Sequence, residues 1–243
     1  MQSFNICIAG IPIRIHCTYA STKEFCREYL SKETPAFEIR ISMDDIQHER
    51  KIAEEQDQQN SAPPQAFSDA YLEALALYRK LAAPLLTYDC VIFHGTVVGV
   101  DGYAYMFTAK SGTGKTTHAK LWLKNIKNAF ILNGDKPLIR TTGNAIMACG
   151  TPWNGKEGYG TNVMLPLRAI CFLSRDTENH IEPISMAEAF PGLYQQMHLC
   201  NGLAETEKQL TLLEEIANSV DLYHLGCNMD NDAALVSYEG MSK

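Results

Sequence analysis

The stretch "FTAKSGTGKTTH" at residues 107–118 constrains the fold more than any other part of the chain. Two glycines, Gly112 and Gly114, separate an apolar β-rich run from a lysine and threonines that open a helical pattern. This order demands a strand, a tight loop and a helix, because glycine lets the backbone turn through left-handed conformations and aim successive N–H groups at one point. The run "YAYMFT" reads as the strand, and Ala119, Trp122, Leu123 and Ile126 share one face of the helix that follows. In the pattern G-x-x-x-x-G-K-[ST] the first glycine is replaced by Ala109. That position lies at the strand exit, outside the curl, where an alanine with negative φ is tolerated.

A loop of this kind at the positive end of a helix is built to hold phosphate oxygens. Ser111, Gly112, Thr113, Gly114, Lys115, Thr116 and Thr117 are therefore the nucleotide-binding candidates. Lys115 reaches the β- and γ-phosphates, and Thr116 offers a hydroxyl to Mg²⁺. The metal also needs a carboxylate, usually at the end of an apolar strand. "AFILNGDKPLIR" supplies Asp135 there, as metal ligand or catalytic base, with a plain Asn133-Gly134-Asp135 turn as the structural alternative.

Around this pair stand residues with two readings each. His94, in "CVIFHG", ends a strand one short hairpin before the loop strand, which places it near the phosphates or makes it a structural hydrogen bonder. The glycine-rich run "GTPWNGKEGYG" at 150–160, with Trp153 and Lys156, reads as a lid, an acceptor-binding surface or an ordinary surface loop. Arg140, Arg168 and Arg175 are phosphate contacts or solvated charges.

Along the chain, residues 1–88 read as a small α/β unit and 89–243 as the loop-bearing domain. "FNICIAGIPIRIH" predicts a hairpin or meander around a Gly-Ile-Pro break, "STKEFCREYLS" a helix and "AFEIRIS" a strand. The polar, charged stretch near 43–66 predicts a frayed helix followed by a solvated loop. Next, "SDAYLEALALYRKLAAPLL" has Leu72, Leu75, Tyr78, Leu81 and Leu85 at helical spacing and Ser68 as N-cap. Beyond it, short strands separated by turns such as Asp101-Gly102 and Thr142-Gly143-Asn144 make a sheet-rich core.

Bulk properties narrow the function. A net charge of −7 over 243 residues leaves no basic footprint for nucleic acid or anionic membrane. The eight cysteines are scattered without a CxxC pair, which predicts reduced, mostly buried thiols. No segment has the ~18 uninterrupted apolar residues of a membrane span. A cytoplasmic protein is the expectation.

These motifs together resemble a known family. The span from His94 to about Arg175 is similar to the catalytic domain of HPr serine kinase/phosphorylase, and more closely to the smaller bacterial HPr-kinase-like proteins. The resemblance rests on His94-Gly95, "SGTGKTTH", "NGDKP" and the "GTPW-x-GK" of the glycine-rich run. It implies a phosphoenolpyruvate-carboxykinase-like fold, a mixed and largely antiparallel sheet around the phosphate-loop helix. It also implies ATP and Mg²⁺, phosphoryl transfer to a serine of a protein or peptide acceptor, and homo-oligomers. His94, Asp135 and Lys115 would be catalytic, and Thr116 with Asp135 would hold the metal. The same site could run as a phosphatase or phosphorylase. Two departures stand out. Gly134 occupies a place where the family usually has a second acid, and Thr117 one where HPr kinases carry glutamate. A nucleotide-binding regulatory protein that has lost its chemistry is the alternative those departures raise.

Overall fold

The chain begins with a hairpin whose turn is set by two residues. Strands β1 (Gln2–Ile8) and β2 (Ile11–Cys17) pair antiparallel through a two-residue turn in which both Ala9 and Gly10 are left-handed, at φ +53° and +73°. The break falls at Ala9-Gly10 rather than at Gly-Ile-Pro, and Pro12 lies inside β2. Ile8 and Ile11 close the two-residue turn as a hydrogen-bonded pair, so Cys7 and Pro12 form the next, non-bonded pair. Proline therefore removes no bond from this ladder. The structure is a computed structural model and describes residues 2–59, 63 and 65–242. It divides into two compact units, Met1–Pro84 and Leu85–Lys243.

In the first unit β3 (Phe37–Arg40) lies parallel to β2, after helix α1 (Ala20–Phe25) and a 3-10 turn (Arg27–Tyr29). Helix α2 (Met43–Gln59) is regular from its first turn, where the prediction was a frayed segment. Its polar composition has a use. Ser42 and Asp45 cap it reciprocally, and buried Glu49 accepts two bonds from Arg79 of α3 (Asp69–Leu86) at 2.5 and 3.1 Å. Lys80 pairs with Asp45 at 2.7 Å. The loop predicted after α2 falls partly on 60–62 and 64, outside the described residues. Ser68 accepts from Tyr71 N and caps α3 as expected. The buried stripe of α3 runs through Leu72, Leu77, Leu81 and Leu85, while Leu75 and Tyr78 are half-buried. Also on that helix, Glu73 is fully buried and accepts from Thr18 N, Tyr19 N and Thr22 Oγ1, serving as a cap for α1, which has no side-chain cap of its own.

The second unit contains the mixed sheet. In chain order come β4 (Cys90–Ile92), β5 (Thr96–Val100), β6 (Tyr103–Thr108), helix α4 (Lys115–Asn125), β7 (Phe130–Asn133), β8 (Leu138–Thr141) and β9 (Ile146–Cys149). Then follow β10 (Met164–Arg175), β11 (His180–Pro183), α5 (Met186–Gln196), α6 (Leu203–Ser219), β12 (Asp221–Cys227) and α7 (Asp232–Met241). Strand order is β4-β8-β9-β10-β6-β5-β7, with β12 beside β10 and β11 beside β12. β10 joins the halves: its start pairs antiparallel with β9, and its remainder lies parallel to β6 and β12. The other neighbours are antiparallel. The β5–β6 hairpin turns at Asp101 and Gly102, both left-handed, as their sequence predicts. Among the described residues no helix is long and apolar enough to cross a membrane.

Helix α4 packs on the sheet through Ala119 and Trp122, with Ile126 buried just past its end, whereas Leu123, predicted on the same face, is exposed. Trp122 meets Phe107, Tyr105 and Tyr238 with ring centroids 5.1–5.4 Å apart. Its Nε1–H donates to Ser237 Oγ at 2.8 Å and to His118 Nε2 at 3.2 Å. His118 is thus a core residue, and burial pushes its pKa down to about 4. An unfolded chain takes up this proton near pH 6.5, but the folded chain does so only near pH 4. Stability is therefore full above pH 6.5 and falls between the two values, by about 3 kcal/mol. Urea denaturation from pH 7 to 4 should show that loss, and His118→Phe should flatten it.

Candidate functional site

Strands β6 and β10 are parallel neighbours and end on the same side, and this places the candidate site. β6 runs into the glycine-containing loop at 109–114. Gly112 and Gly114 both take positive φ, +79° and +127°, and a Cβ on either would meet open space, so backbone conformation alone reserves these positions for glycine. Gly114 is the N-cap residue of α4, which has no side-chain cap, leaving its first N–H groups directed out of the helix. Ala109 is not among the left-handed residues, and its side chain is buried in the core beneath α4. Alanine thus fits the strand exit and adds packing there.

Arg175, at the end of β10, donates from Nη2 to Gly112 O at 2.6 Å and from Nε to Thr113 O at 3.2 Å. Since a trans peptide points its C=O and N–H in opposite directions, fixing these carbonyls turns the following N–H groups away from Arg175. Of the three arginines raised by the sequence, this one touches the loop. Arg168 donates to Met241 O and Ser242 O, and Arg140 lies within β8 between Cys90 and Met147. Ser111 and Thr117 are exposed; Thr113 and Thr116 are half-buried.

Lys115 is buried, and its Nζ donates to Ala109 O at 2.9 Å across the loop. Burial lowers its pKa, with Lys136 adding to the effect and Asp135 opposing it. Asp135 and Lys136 follow β7, in a turn organised by Asn133. The fully buried Asn133 carboxamide accepts from Asp135 N and Lys136 N at 2.9 and 2.8 Å, and donates to Thr151 O and Oγ1. Lys136 Nζ stands 3.5 Å from Asp135 Oδ1. His94 follows β4, its Nε2 lies 3.4 Å from the same oxygen, and its Nδ1 lies 2.9 Å from Gln196 Oε1 at the end of α5. Burial, then Lys136 and Lys115, hold the His94 pKa below the usual imidazole range. The ring is neutral at neutral pH, so its contact with Asp135 is not an ion pair.

The glycine-rich run is part of this architecture. Gly134 N donates to Tyr159 O at 3.0 Å, and Lys136 N to Trp153 O at 3.1 Å, so both limbs of the run are fixed to the Asp135 turn. Trp153 is buried, whereas Lys156 at the tip is exposed. Glu157 pairs with Lys120 of α4 at 3.0 Å. A Cβ on Gly134 would lie 2.5 Å from Asn154 O, so this glycine is demanded by close backbone approach. Asp101 and Glu157, two other acids that could supplement Asp135, are engaged elsewhere. Asp101 accepts from Asn128 at the opposite end of β6, and Glu157 is held by Lys120.

Lys115, Asp135 and His94, singled out in the sequence, are brought by the fold into mutual electrostatic reach. Asn133, Lys136 and Gln196, which the sequence does not single out, contact that cluster. Asn133 and Lys136 flank the Gly-Asp pair and had a signal in the turn chemistry; Gln196 had none. Among the described residues no group of three or more His, Cys, Asp or Glu side chains is placed to hold a metal ion. With His94 neutral, two lysines and one aspartate give the cluster a net positive charge, which suits a polyanion. A single carboxylate is a common protein contribution to a Mg²⁺ whose other ligands are phosphates and water, and Asp135 is the carboxylate available beside Lys115.

No protein-family model and no curated protein matches the chain. Among solved structures it is similar to the HPr(Ser) kinase/phosphatase from Coxiella burnetii, at 12% identity and a TM-score of 0.27, over 38% of this chain and 70% of that one.

Proposed function

We propose that this protein transfers the terminal phosphoryl group of Mg²⁺-ATP to a serine hydroxyl of a protein or peptide, on a phosphoenolpyruvate-carboxykinase-like sheet. The convergence of Lys115, Asp135 and His94, with His94 Nε2 3.4 Å from Asp135 Oδ1 and both within electrostatic reach of Lys115, carries this reading. In it the loop from Ser111 to Thr117 holds the phosphates, and Lys115 neutralises the charge that builds during transfer. Thr116 and Asp135 hold the metal ion, or Asp135 takes the hydroxyl proton. His94 faces the transferring group. The exposed tip of the glycine-rich run, with Lys156, borders the acceptor.

ADP release from Mg²⁺-ATP in the presence of serine peptides tests the proposal. Turnover is expected in the native protein, with a loss on the order of 10²-fold or more in Asp135→Asn. The single carboxylate supports a second reading, a nucleotide-binding regulator without chemistry. ATP binding with no turnover in either protein would favour that reading over the kinase.

A further inference from the structure

Phosphate binding needs N–H groups, not carbonyl oxygens, turned towards the anion, and the glycines that let the loop curl also let it uncurl. We propose that Arg175 is a positioning residue: without touching the nucleotide, it locks the Gly112–Thr113 and Thr113–Gly114 peptides in the orientation that offers N–H groups to phosphate oxygens. This inference rests on the proposed nucleotide site and names what keeps that site assembled.

A peptide flip exchanges the directions of a C=O and of the N–H that follows it, by rotation about ψ of one residue and φ of the next. Glycine on either side of the peptide removes most of the steric barrier to such a flip. Gly112 precedes the first of these two peptides and Gly114 follows the second, and both take positive φ. Their carbonyls are the ones Arg175 holds, with Gly112 O 2.6 Å from Nη2 and Thr113 O 3.2 Å from Nε. The first peptide is also tied at its other end, where Thr113 N donates to Lys110 O at 3.3 Å. With Thr113 O held, Gly114 N–H points away from Arg175 and joins the N–H groups that open α4, a helix with no side-chain cap. A flipped peptide would set a carbonyl oxygen against the anion instead.

The arginine is itself firmly mounted. It lies beyond Phe172, the last β10 residue paired with β6, opposite Thr108, yet it is still in register with Cys227 of β12. Asp176 N donates to Cys227 O at 3.0 Å and prolongs that pairing. The strand end therefore carries Arg175 alongside the loop. Asp176 commits its carboxylate to Thr177 N and Glu178 N, at 2.6 and 3.4 Å. Lys115 also ties the loop, at Ala109 O 2.9 Å away, but its ammonium is the group assigned to the phosphates. Arg175 is the tie that stays when nucleotide binds.

Calorimetric titration with Mg²⁺-ATP tests this role. Arg175 is exposed, so Arg175→Met should keep Tm within about 2 °C of native while binding ATP roughly 10-fold more weakly. With a serine peptide acceptor, KM for ATP should rise by a similar factor and kcat at saturating ATP should stay within about twofold, the pattern of lost uniform binding. Arg175→Lys keeps the charge but not the planar fork, so it should recover little of the affinity. In the nucleotide-free protein, ¹⁵N relaxation should show the Gly114 N–H order parameter falling from about 0.85 to about 0.6 in Arg175→Met. The affinity and relaxation readings need no turnover, so they hold for a protein that binds without chemistry. Native affinity or an unchanged Gly114 order parameter in Arg175→Met would overturn the proposal. So would full recovery in Arg175→Lys, which would reduce the role to charge attraction, or a fall in kcat at unchanged KM, which would place Arg175 on the transferring group. A native protein that binds no ATP would instead overturn the nucleotide site on which the inference rests.

Discussion

Replacing Lys115 by methionine is expected to weaken ATP binding about a hundredfold or more while leaving the protein folded. Methionine keeps the apolar stem that Lys115 buries beside the loop and removes only the ammonium. That ammonium bonds to Ala109 O and feels Asp135, so its loss removes the charge nearest the loop mouth. Removing one partner of a desolvated charged contact costs about 2–5 kcal/mol, and 1.4 kcal/mol is a tenfold change in affinity. Calorimetric titration with ATP checks the affinity, and the far-ultraviolet circular dichroism spectrum checks the fold. Native affinity in a folded Lys115→Met protein would remove the loop from the binding site.

Gly134→Asp is expected to fail as a restoration of a second acid. By sequence alone an aspartate at 134 adds a metal ligand. In the structure its Cβ would lie 2.5 Å from Asn154 O and 3.2 Å from Tyr159 O, both backbone atoms, so the turn or the glycine-rich run must shift. Overpacking of this kind costs about 1–3 kcal/mol, and a second carboxylate beside Asp135 adds repulsion. A fall in Tm of roughly 5–10 °C should follow, with no gain in turnover. The displaced turn also carries Asp135 and Lys136, so nucleotide affinity should fall as well. Unchanged stability with raised activity would show that the run yields easily and that the glycine reflects a lost acid rather than a packed contact.

What the sequence discloses here depends on how far apart the partners lie. Gly112 and Gly114 are legible because their left-handed φ is a local demand, and Asp101-Gly102 and Ser68 for the same reason. Lys115 and Asp135 are legible because each sits at a fixed offset from a strand end. Gln196 meets His94 across 102 positions, and Arg175 meets Gly112 across 63, so no local pattern announces either contact. Gly134 shows the sharper limit. Its type is plain in the sequence, but its reason is a backbone oxygen twenty residues later, and a missing acid and a required glycine look identical until the fold is known. Helix α2 was underestimated because its partners, Arg79 and Lys80, belong to another helix and offset its charges only once both have formed.

The most direct test of the nucleotide site is calorimetric titration of the native protein with ATP, with and without Mg²⁺. Saturable binding at one site per chain, tightened by Mg²⁺, is expected from a loop that presents Lys115 and free helix N–H groups beside a single carboxylate. Absence of saturable binding in the native protein under both conditions would contradict the assignment of this loop and the Asp135 turn as a nucleotide site.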